Sequence, residues 1–347
     1  MNKKKIVIIG GGFVGTLCAK KLEKDFDVIL IDDKSYFEYT PAILRTILEP
    51  GHAKKIQVLH SQYLKRAKII TNRVLEVSKK EVTLEEKKQK IPFNYLIIAS
   101  GSNYATPIKE EGLIPAYRAE ELALYHDRLM EAKRILVIGG GLVGVELTAE
   151  ISTHCKDKDI TIVHSHDELI ERNHPKARKY AREFLEKHGI KILFGERVKD
   201  SKNHTFVTDK GTKIKSDMSF ISVGIMPNYE FMKKNFSNFL NERNLIKTNS
   251  YLQLAGFSNI FVGGDITSIK EEKTAQTSKK HAALIVKNIY NLENNRPLEE
   301  YISKRRPMVI SLGKYNGIFE YKNIVITGFI PAFLKWAIEK STMWKYR

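Results

Sequence analysis

Two glycine-rich segments carry the clearest chemical signal in this 347-residue sequence. Each follows an apolar, β-branched run, precedes a helical stretch and fits the pattern G-x-G-x-x-G. The first glycine permits a tight turn, the second lets backbone amides approach a pyrophosphate, and the third lets the helix lie close to the strand. The pyrophosphate then meets free N–H groups at a helix N-terminus. Two dinucleotide-binding sites are therefore predicted, the first from Gly10, Gly12, Phe13, Val14 and Gly15 and the second from Gly139, Gly141, Leu142, Val143 and Gly144.

The residues that end the two units differ in charge. Asp32, followed by Asp33, lies 22 residues after Gly10, where a carboxylate can bind both hydroxyls of an adenosine ribose and would repel a 2′-phosphate. The first site therefore suits FAD or NAD. At the corresponding place in the second unit stand His164 and Ser165, and an imidazole can donate to a 2′-phosphate. The second site is expected to accept NADPH as well as NADH, unless His164 only caps its strand.

The glycine segments belong to an internal repeat. Residues 5–32 and residues 134–165 each read as strand, glycine turn, helix and second strand. Because such crossovers are right-handed, each unit predicts a parallel, doubly wound sheet. The predicted fold class is α/β, with two Rossmann-like dinucleotide-binding domains.

The charge balance predicts an anionic partner. The chain has 58 Lys and Arg against 40 Asp and Glu, a net charge of +18. Phosphate groups, a membrane surface or nucleic acid would each suit this excess. From Lys270 to Arg347, 15 basic residues outnumber 7 acidic ones by 8, which favours the C-terminal part as the docking surface. A surface that is lysine-rich throughout is the alternative.

The cysteine content excludes several classes of protein. Only Cys18 and Cys155 occur, far apart, so neither a disulfide framework nor a Cys-based zinc cluster is expected, and no metal site is predicted. No stretch approaches 18 apolar residues, and the glycine at position 2 that myristoylation needs is absent. A cytoplasmic protein is expected, at most peripheral on a membrane.

Three further segments follow the glycine motifs in a characteristic order. An apolar strand ends at Ala99, Ser100 and Gly101, a turn carries Gly224 before Pro227, and a later strand ends at Gly264 and Asp265. The whole pattern resembles the flavoproteins with two dinucleotide-binding domains, the family that includes glutathione reductase, over roughly residues 1–300. The resemblance implies an FAD-binding domain of residues 1–104 and 247–300, an inserted NAD(P)H-binding domain of residues 105–246, and a C-terminal α/β region of residues 301–347.

The branch of the family is indicated by further residues. Residues 36–60 contain no cysteine, which excludes the thiol chemistry of the disulfide, CoA-disulfide and sulfide:quinone members. The run around Thr40 and Pro41 resembles type II NADH:quinone dehydrogenases. His164 and Ser165, the turn at residues 311–317 and Trp344 are more similar to the ferroptosis-suppressor, apoptosis-inducing-factor-like branch. The sequence departs from these relatives in having Lys280 where a second glutamine would follow Gln276, and in lacking the myristoylated glycine.

This resemblance implies an FAD-dependent NAD(P)H:quinone oxidoreductase. Glu146 lies on the first helical turn after Gly144 and can point toward the nicotinamide–flavin contact, and the resemblance gives it the same role, as a nicotinamide-site or proton-relay carboxylate. A glutamate that only favours the helix dipole is the alternative. Thr40 and Pro41 are expected beside the flavin ring. Gln276 and Lys280 fall in a predicted helix whose N-terminus would stabilise the anionic reduced flavin, although Lys280 could equally be a surface charge.

The segment at residues 329–347 spaces apolar and aromatic residues at helical intervals with basic residues between them. Such a segment suits a membrane interface, where a lipid quinone would be met. Packing onto the FAD domain, closing the acceptor pocket, is the alternative, and the two are compatible. Two other functions stay open: a ferredoxin-type reductase or flavin oxidase, and a basic flavoprotein whose redox state controls binding to nucleic acid or a protein. No nucleic-acid-binding motif supports the last.

Overall fold

The computed structural model describes residues 3–104, 113–115, 119–223 and 225–347. Gly224, one of the predicted cofactor-binding residues, lies outside these residues. The described helices are α1 (Phe13–Leu22), α2 (Ala53–Ile56), α3 (His60–Tyr63), α4 (Ala119–Leu124), α5 (His126–Glu131), α6 (Leu142–His154), α7 (Pro175–Lys187), α8 (Lys233–Phe236), α9 (Ala275–Glu293) and α10 (Phe329–Trp344).

The described strands form two five-stranded sheets and several smaller ones. In chain order they are β1 (Lys5–Ile9), β2 (Asp27–Asp32), β3 (Tyr36–Glu38), β4 (Gln57–Leu59), β5 (Lys68–Thr71), β6 (Val74–Val77), β7 (Glu81–Leu84), β8 (Lys90–Pro92), β9 (Tyr95–Ile98), β10 (Ser102–Tyr104), β11 (Leu113–Pro115), β12 (Arg134–Ile138), β13 (Asp159–His164), β14 (Lys191–Phe194), β15 (Val198–Lys202), β16 (Thr205–Thr208), β17 (Lys213–Lys215), β18 (Met218–Ile221), β19 (Ile225–Pro227), β20 (Ile260–Val262), β21 (Met308–Leu312), β22 (Asn316–Tyr321) and β23 (Ile324–Gly328).

The first sheet contains the first predicted repeat unit. Its strand order is β20-β9-β1-β2-β5, and every pair is parallel. The central strands are apolar and buried on both faces, which is the pattern of a parallel sheet covered by helices. Helix α9 packs against α1 on one face. Strand β20 comes more than 150 residues after β9 in the sequence but pairs with it in the sheet. It places the segment that ends at Gly264 and Asp265 next to the first glycine turn.

The second sheet repeats this design. Its order is β11-β18-β12-β13-β14, again parallel throughout, with α6 as the crossover between β12 and β13. The two glycine turns therefore lie at the carboxyl ends of β1 and β12, where ligands bind to sheets of this kind. The predicted α/β fold class is confirmed.

The C-terminal region is a three-stranded antiparallel sheet, β21-β22-β23, followed by α10. Helix α10 packs on β21 and β22, and β21 also contacts α6 of the second unit. The helical spacing read in residues 329–347 is confirmed. None of the helices in the described part of the chain has the length and apolar content that crossing a bilayer requires.

Candidate active site

The first glycine turn is closely packed at Gly10 and Gly15 and open at Gly12, where a phosphate group could fit. Gly10 has φ +98°, and a Cβ there would lie 2.2 Å from the carbonyl oxygen of Ala99. A Cβ on Gly15 would lie 1.8 Å from the carbonyl oxygen of Gly10, so helix and strand approach as closely as backbone allows. A Cβ on Gly12 would meet nothing within 4 Å. The open side of the turn is thus at Gly12, next to the free N–H groups that begin α1.

The second glycine turn has the same geometry. Gly139 has φ +112°, and a Cβ on Gly144 would lie 1.8 Å from the carbonyl oxygen of Gly139. A Cβ on Gly141 would meet nothing within 4 Å. Leu142 and Val143, which begin α6, are half-buried. Both turns therefore keep the steric features that the two motifs predict.

This geometry separates the roles of Gly12 and Gly15. Gly15→Ala should destabilise the protein by about 3 kcal/mol or more, because the new methyl group collides with backbone that cannot move aside. Gly12→Ala should change the stability of the cofactor-free protein by less than about 0.5 kcal/mol, because its methyl group occupies open space. The same methyl group should still abolish tight FAD binding. Thermal unfolding of both apoproteins and FAD titration of the Gly12 variant test this; a Gly12 variant with unchanged FAD affinity would contradict it.

Asp32 borders the first turn at the end of β2. Its side chain is buried, and its Oδ2 lies 3.4 Å from Nε2 of His60, whose Nδ1 is hydrogen-bonded to the hydroxyl of Tyr63 at 2.5 Å. A Cβ on Gly11 would lie 2.2 Å from Asp32 Oδ2. The carboxylate therefore faces the turn, at the place predicted for ribose binding, and the adjacent Asp33 is exposed.

The folded second unit has a carboxylate near the position that Asp32 holds in the first unit. His164 is buried, its Nδ1 accepts a hydrogen bond from the backbone N–H of Gly140 at 3.1 Å, and its Nε2 lies 3.4 Å from the carboxylate of Glu171. Burial lowers the pKa of His164. The sequence predicts only His164 and Ser165 at the end of this unit. The loop that follows them also brings the carboxylate of Glu171 to the site.

Polar residues of two other turns close the first site. Ser100 donates to the carbonyl of Asn228 at 2.8 Å, just before Gly101 with its positive φ of 64°. Ser102 donates to Asp265 Oδ2 at 3.3 Å, and burial raises the pKa of Asp265. The N–H of Gly264 donates to Nδ1 of His281 at 3.0 Å. The open space at Gly12, the buried carboxylate of Asp32 and the half-buried carboxylate of Asp265 fit the phosphate, ribose and ribityl groups of a flavin dinucleotide.

In helix α9 the lysine that faces the protein interior is Lys279, whereas the predicted site residue was Lys280. Lys280 is exposed, and Gln276, also exposed, donates to the carbonyl of Pro307 at 3.1 Å. Lys279 is the half-buried cation, with Nζ 5.5 Å from the centre of the Phe13 ring and 3.4 Å from the hydroxyl of Thr342. The geometry therefore gives no support to a site role for Lys280. The helix begins at Ala275, as predicted, with the Thr274 side chain accepting from the N–H of Thr277.

Glu146 is not an exposed first-turn glutamate. Its Oε1 accepts a hydrogen bond from the backbone N–H of Ser311 at 2.8 Å and from Nζ of Lys335 at 2.5 Å. The lysine also donates to the hydroxyl of Ser311 at 3.0 Å. These contacts join the start of α6 to β21 and α10, so Glu146 ties the second dinucleotide unit to the C-terminal region.

Glu146 forms part of the wall of a cavity of about 180 Å³. The cavity lies between the 3-10 turn Thr40–Ile47, helix α6 and the C-terminal region. Pro41 lines it, whereas the side chain of Thr40 is exposed. Its wall combines apolar and aromatic side chains with charged ones; the lining side chains include Leu44, Arg45, His52, Glu146, Glu150, Tyr315, Phe329, Phe333, Lys335, Trp336 and Glu339.

Helix α10 has one packed face and one exposed face. One face is packed against the body of the protein through residues such as Glu339, Thr342 and Met343. Beyond it, Tyr346 is buried, stacks on Phe37 at 4.1 Å and is hydrogen-bonded to the hydroxyl of Thr16 at 3.1 Å. The other face is exposed and apolar, and comprises Phe329, Ile330, Phe333, Trp336 and Trp344, each at least 50% exposed.

Neither cysteine belongs to the cavity. Cys18 and Cys155 are both free and buried, and burial raises the pKa of each thiol. A buried thiol with a raised pKa is a poor nucleophile. The structural role expected of both residues agrees with their placement.

Several residues of the site were missed by reasoning from the sequence. They are Arg45, His52, Glu171, Lys335 and Glu339, which come from loops, short turns and the distant tail. None stands at a recognisable spacing from a glycine motif. For Lys335 and Glu339, the sequence showed only that charged residues stand between apolar ones in the segment at residues 329–347.

The fold and this site define a class of protein: the chain belongs to the pyridine nucleotide-disulphide oxidoreductase family, whose sequence profile matches residues 4–282. It is 34% identical over 366 residues to apoptosis-inducing factor homolog A of Dictyostelium discoideum, covering 96% of this chain and 89% of that one. It is 31% identical over 361 residues to ferroptosis suppressor protein 1 of Mus musculus, covering 98% of this chain and 95% of that one. The predicted family and branch are confirmed.

Solved structures share the fold. NDH2 from Plasmodium falciparum in complex with NADH superposes with a TM-score of 0.90 at 16% identity, covering 100% of this chain and 96% of that one. The sulfide:quinone oxidoreductase of Aquifex aeolicus superposes with a TM-score of 0.88 at 21% identity, covering 99% and 91%.

Proposed function

We propose that this protein is an FAD-dependent NAD(P)H:quinone oxidoreductase. The observation that carries the proposal is the cavity at Glu146. Its walls come from the second dinucleotide unit, from the turn that contains Pro41 and from aromatic residues of α10. Its relatives include ferroptosis suppressor protein 1, and the fold is that of an NADH-binding NDH2 and of a sulfide:quinone oxidoreductase. The buried cysteines leave no thiol for disulfide chemistry.

The residues of the first site have distinct tasks in this proposal. The N–H groups after Gly12 bind the pyrophosphate, Asp32 binds the adenosine ribose, and Asp265 binds at the ribityl end. FAD supplies the transfer of electrons from nicotinamide to acceptor. The boundaries of the FAD-binding, NAD(P)H-binding and C-terminal parts, at residues 1–104 with 247–300, 105–246 and 301–347, belong to the same proposal.

The cavity suits a flat acceptor that is apolar with polar edges. Phe333 and Trp336, whose ring centres lie 5.5 Å apart, provide an aromatic surface, and Lys335 provides hydrogen-bond donors beside it. Aromatic rings stack favourably on such surfaces. A quinone has this combination of a flat ring and carbonyl acceptors, whereas an iron–sulfur protein would need a large polar docking surface.

Steady-state assays of the purified flavoprotein test the proposed acceptor. NADH and NADPH oxidation should be rapid with a short-chain ubiquinone and slow with oxygen or an iron–sulfur protein. Rapid reduction of the iron–sulfur protein with no quinone turnover would favour a ferredoxin-type reductase. Rapid oxygen consumption would favour a flavin oxidase.

We also propose that the exposed face of α10 contacts a membrane surface. Its five large apolar side chains are accompanied by exposed basic residues, Lys314, Lys322, Lys340, Lys345 and Arg347. An apolar face bordered by cations suits the interface of an anionic bilayer. A lipid quinone dissolved there would be close to the cavity, because Phe329, Phe333 and Trp336 belong to both surfaces.

Cosedimentation with vesicles tests this contact. The holoprotein should bind phosphatidylserine vesicles more strongly than phosphatidylcholine vesicles, and salt should weaken the binding. Ile330→Ser with Trp344→Ser should reduce binding about tenfold or more, since each removes a large apolar group that does not line the cavity. Leu75→Ser, at an exposed apolar residue of β6, is the matched control. Equal binding by both variants would contradict the proposed surface.

A further inference from the structure

The wall of the cavity also holds a cluster of ionisable groups that no step assigned so far uses. Arg45 donates to Glu150 at 3.0 Å, and Nε2 of His52 lies 3.7 Å from the carboxylate of Glu339. These four side chains come from two 3-10 turns, α6 and α10. All four line the cavity.

Three polar atoms of this cluster have no hydrogen-bond partner among the described residues. They are Arg45 Nε, His52 Nε2 and Glu150 Oε2, and all three atoms are buried. The side chains of His52 and Glu150 are only 5% and 4% exposed. Leaving such atoms unpaired is costly, so native sites keep them where a ligand or a mobile proton needs them. All three atoms belong to side chains of the wall that the acceptor would contact.

The two pairs differ in their hydrogen bonding. The Arg45 guanidinium donates a charge-assisted hydrogen bond to the Glu150 side chain. His52 and Glu339 stand too far apart for a hydrogen bond. Burial raises the pKa of Glu339, and burial together with Arg45 lowers the pKa of His52 to about 4. A carboxylic acid facing a neutral imidazole therefore agrees with both their separation and their surroundings.

We infer that the carboxyl group of Glu339 is the proton donor to the acceptor bound in the cavity. The inference rests on the proposed quinone reductase function. The overall reaction is NAD(P)H + H⁺ + quinone → NAD(P)⁺ + quinol. The hydride of NAD(P)H supplies two electrons and one proton, and the second proton must reach a quinone oxygen inside a partly enclosed site. Glu339 gives up this proton as the O–H bond of the quinol forms, and solvent restores it.

Other groups on the cavity wall are less suited to this step. Lys335 is held by Glu146 and Ser311 in two hydrogen bonds. Glu150 is paired with Arg45, and Glu146 accepts from Lys335 and from a backbone N–H. Glu339 is a carboxyl group on the wall whose pKa is raised by burial, so it can hold a proton there and release it. The charged and titratable groups that act on it are Tyr39, Arg45, His52, Lys55, Lys335 and Lys340.

The test compares acceptors that differ in their need for protons. Ferricyanide takes one electron at a time and binds no proton, whereas a quinone takes two electrons and two protons. Glu339→Gln keeps the shape of the side chain but removes the proton. It should lower kcat with a short-chain ubiquinone at least tenfold relative to kcat with ferricyanide, and Glu339→Asp should restore part of the loss.

The pH profile and an infrared measurement complete the test. Because Glu339 donates only when protonated, quinone turnover by the wild type should fall as pH rises through its raised pKa, and the glutamine variant should lack this decline. In the infrared spectrum of the holoprotein, a band of a protonated carboxyl group should be present in the wild type and missing in Glu339→Gln. Glu320→Gln is the matched control, since Glu320 is also buried in the C-terminal region but bonds to Asn173 and Arg305, away from the cavity.

The outcomes separate the two proposals. No quinone turnover by the wild type would overturn the proposed function and this inference with it. Normal wild-type turnover with an unchanged quinone-to-ferricyanide ratio in Glu339→Gln would overturn the inference alone. An equal change of that ratio in Glu320→Gln would also overturn it, because the effect would then follow from altered packing of the region.

Discussion

Replacing Glu146 by glutamine should slow the reduction of the flavin by NADH about a hundredfold while leaving FAD retention nearly unchanged. Glu146 lies at the start of α6, directly after the second glycine turn, and its carboxylate belongs to the cavity wall. Glutamine can still accept from the N–H of Ser311, so the turn keeps its shape. It cannot carry the negative charge that the predicted role of Glu146 at the nicotinamide requires. Stopped-flow measurement of flavin absorbance after mixing with NADH tests this.

The hydrogen bond from Lys335 requires a control, because Glu146 could act only by holding the C-terminal region in place. Removing the carboxylate leaves the lysine cation partly buried without its partner, which destabilises a structure. Lys335→Gln removes the same ion pair from the other side. If Glu146 acts on the nicotinamide, Lys335→Gln should slow flavin reduction much less than Glu146→Gln does. If both single variants and the double variant slow flavin reduction equally, the Glu146–Lys335 pair has only a structural role. If Glu146→Gln reduces the flavin at the wild-type rate, Glu146 is excluded from the nicotinamide site.

Replacing Glu171 by glutamine should raise the preference for NADPH over NADH by about tenfold. The Glu171 carboxylate lies 3.4 Å from His164 Nε2, at the end of the second unit where the adenosine ribose is expected. There it can bind ribose hydroxyls and repel a 2′-phosphate. Like charges near a protein surface repel by an amount on the order of 1 kcal/mol or more, and about 1.4 kcal/mol is a factor of ten. His164 and His166 remain in the variant as donors to the phosphate.

The change in coenzyme preference is measured as the ratio of kcat/KM for NADPH and NADH with one fixed acceptor. Binding of ADP-ribose and of 2′-phospho-ADP-ribose to the holoprotein gives the same comparison without turnover. Glu168→Gln is the matched control, because Glu168 lies in the same loop but is paired with Arg178 at 2.8 Å. A ratio that stays constant in Glu171→Gln, or shifts equally in Glu168→Gln, would show that Glu171 takes no part in coenzyme selection.

The sequence by itself determined the features that depend on local geometry. A glycine turn after an apolar strand permits only a few backbone paths, so Gly10, Gly15, Gly139 and Gly144 could be read directly as close helix–strand contacts. The repeat then fixed two parallel sheets, since right-handed crossovers leave little choice. Asp32 was found because it ends the strand that the motif itself positions.

Only the tertiary structure decided which distant side chains share one cavity. Glu146 and Lys335 are far apart in the chain, and neither spacing nor composition links them. The helical pattern of α9 did not tell Lys279 from Lys280, because a rotation of about 100° per residue decides which neighbour faces Phe13. Glu171 returns to His164 through an irregular loop, and His52 comes within 3.7 Å of Glu339 from a distant part of the chain. Such contacts depend on how whole elements pack, and local sequence patterns carry no information about that packing.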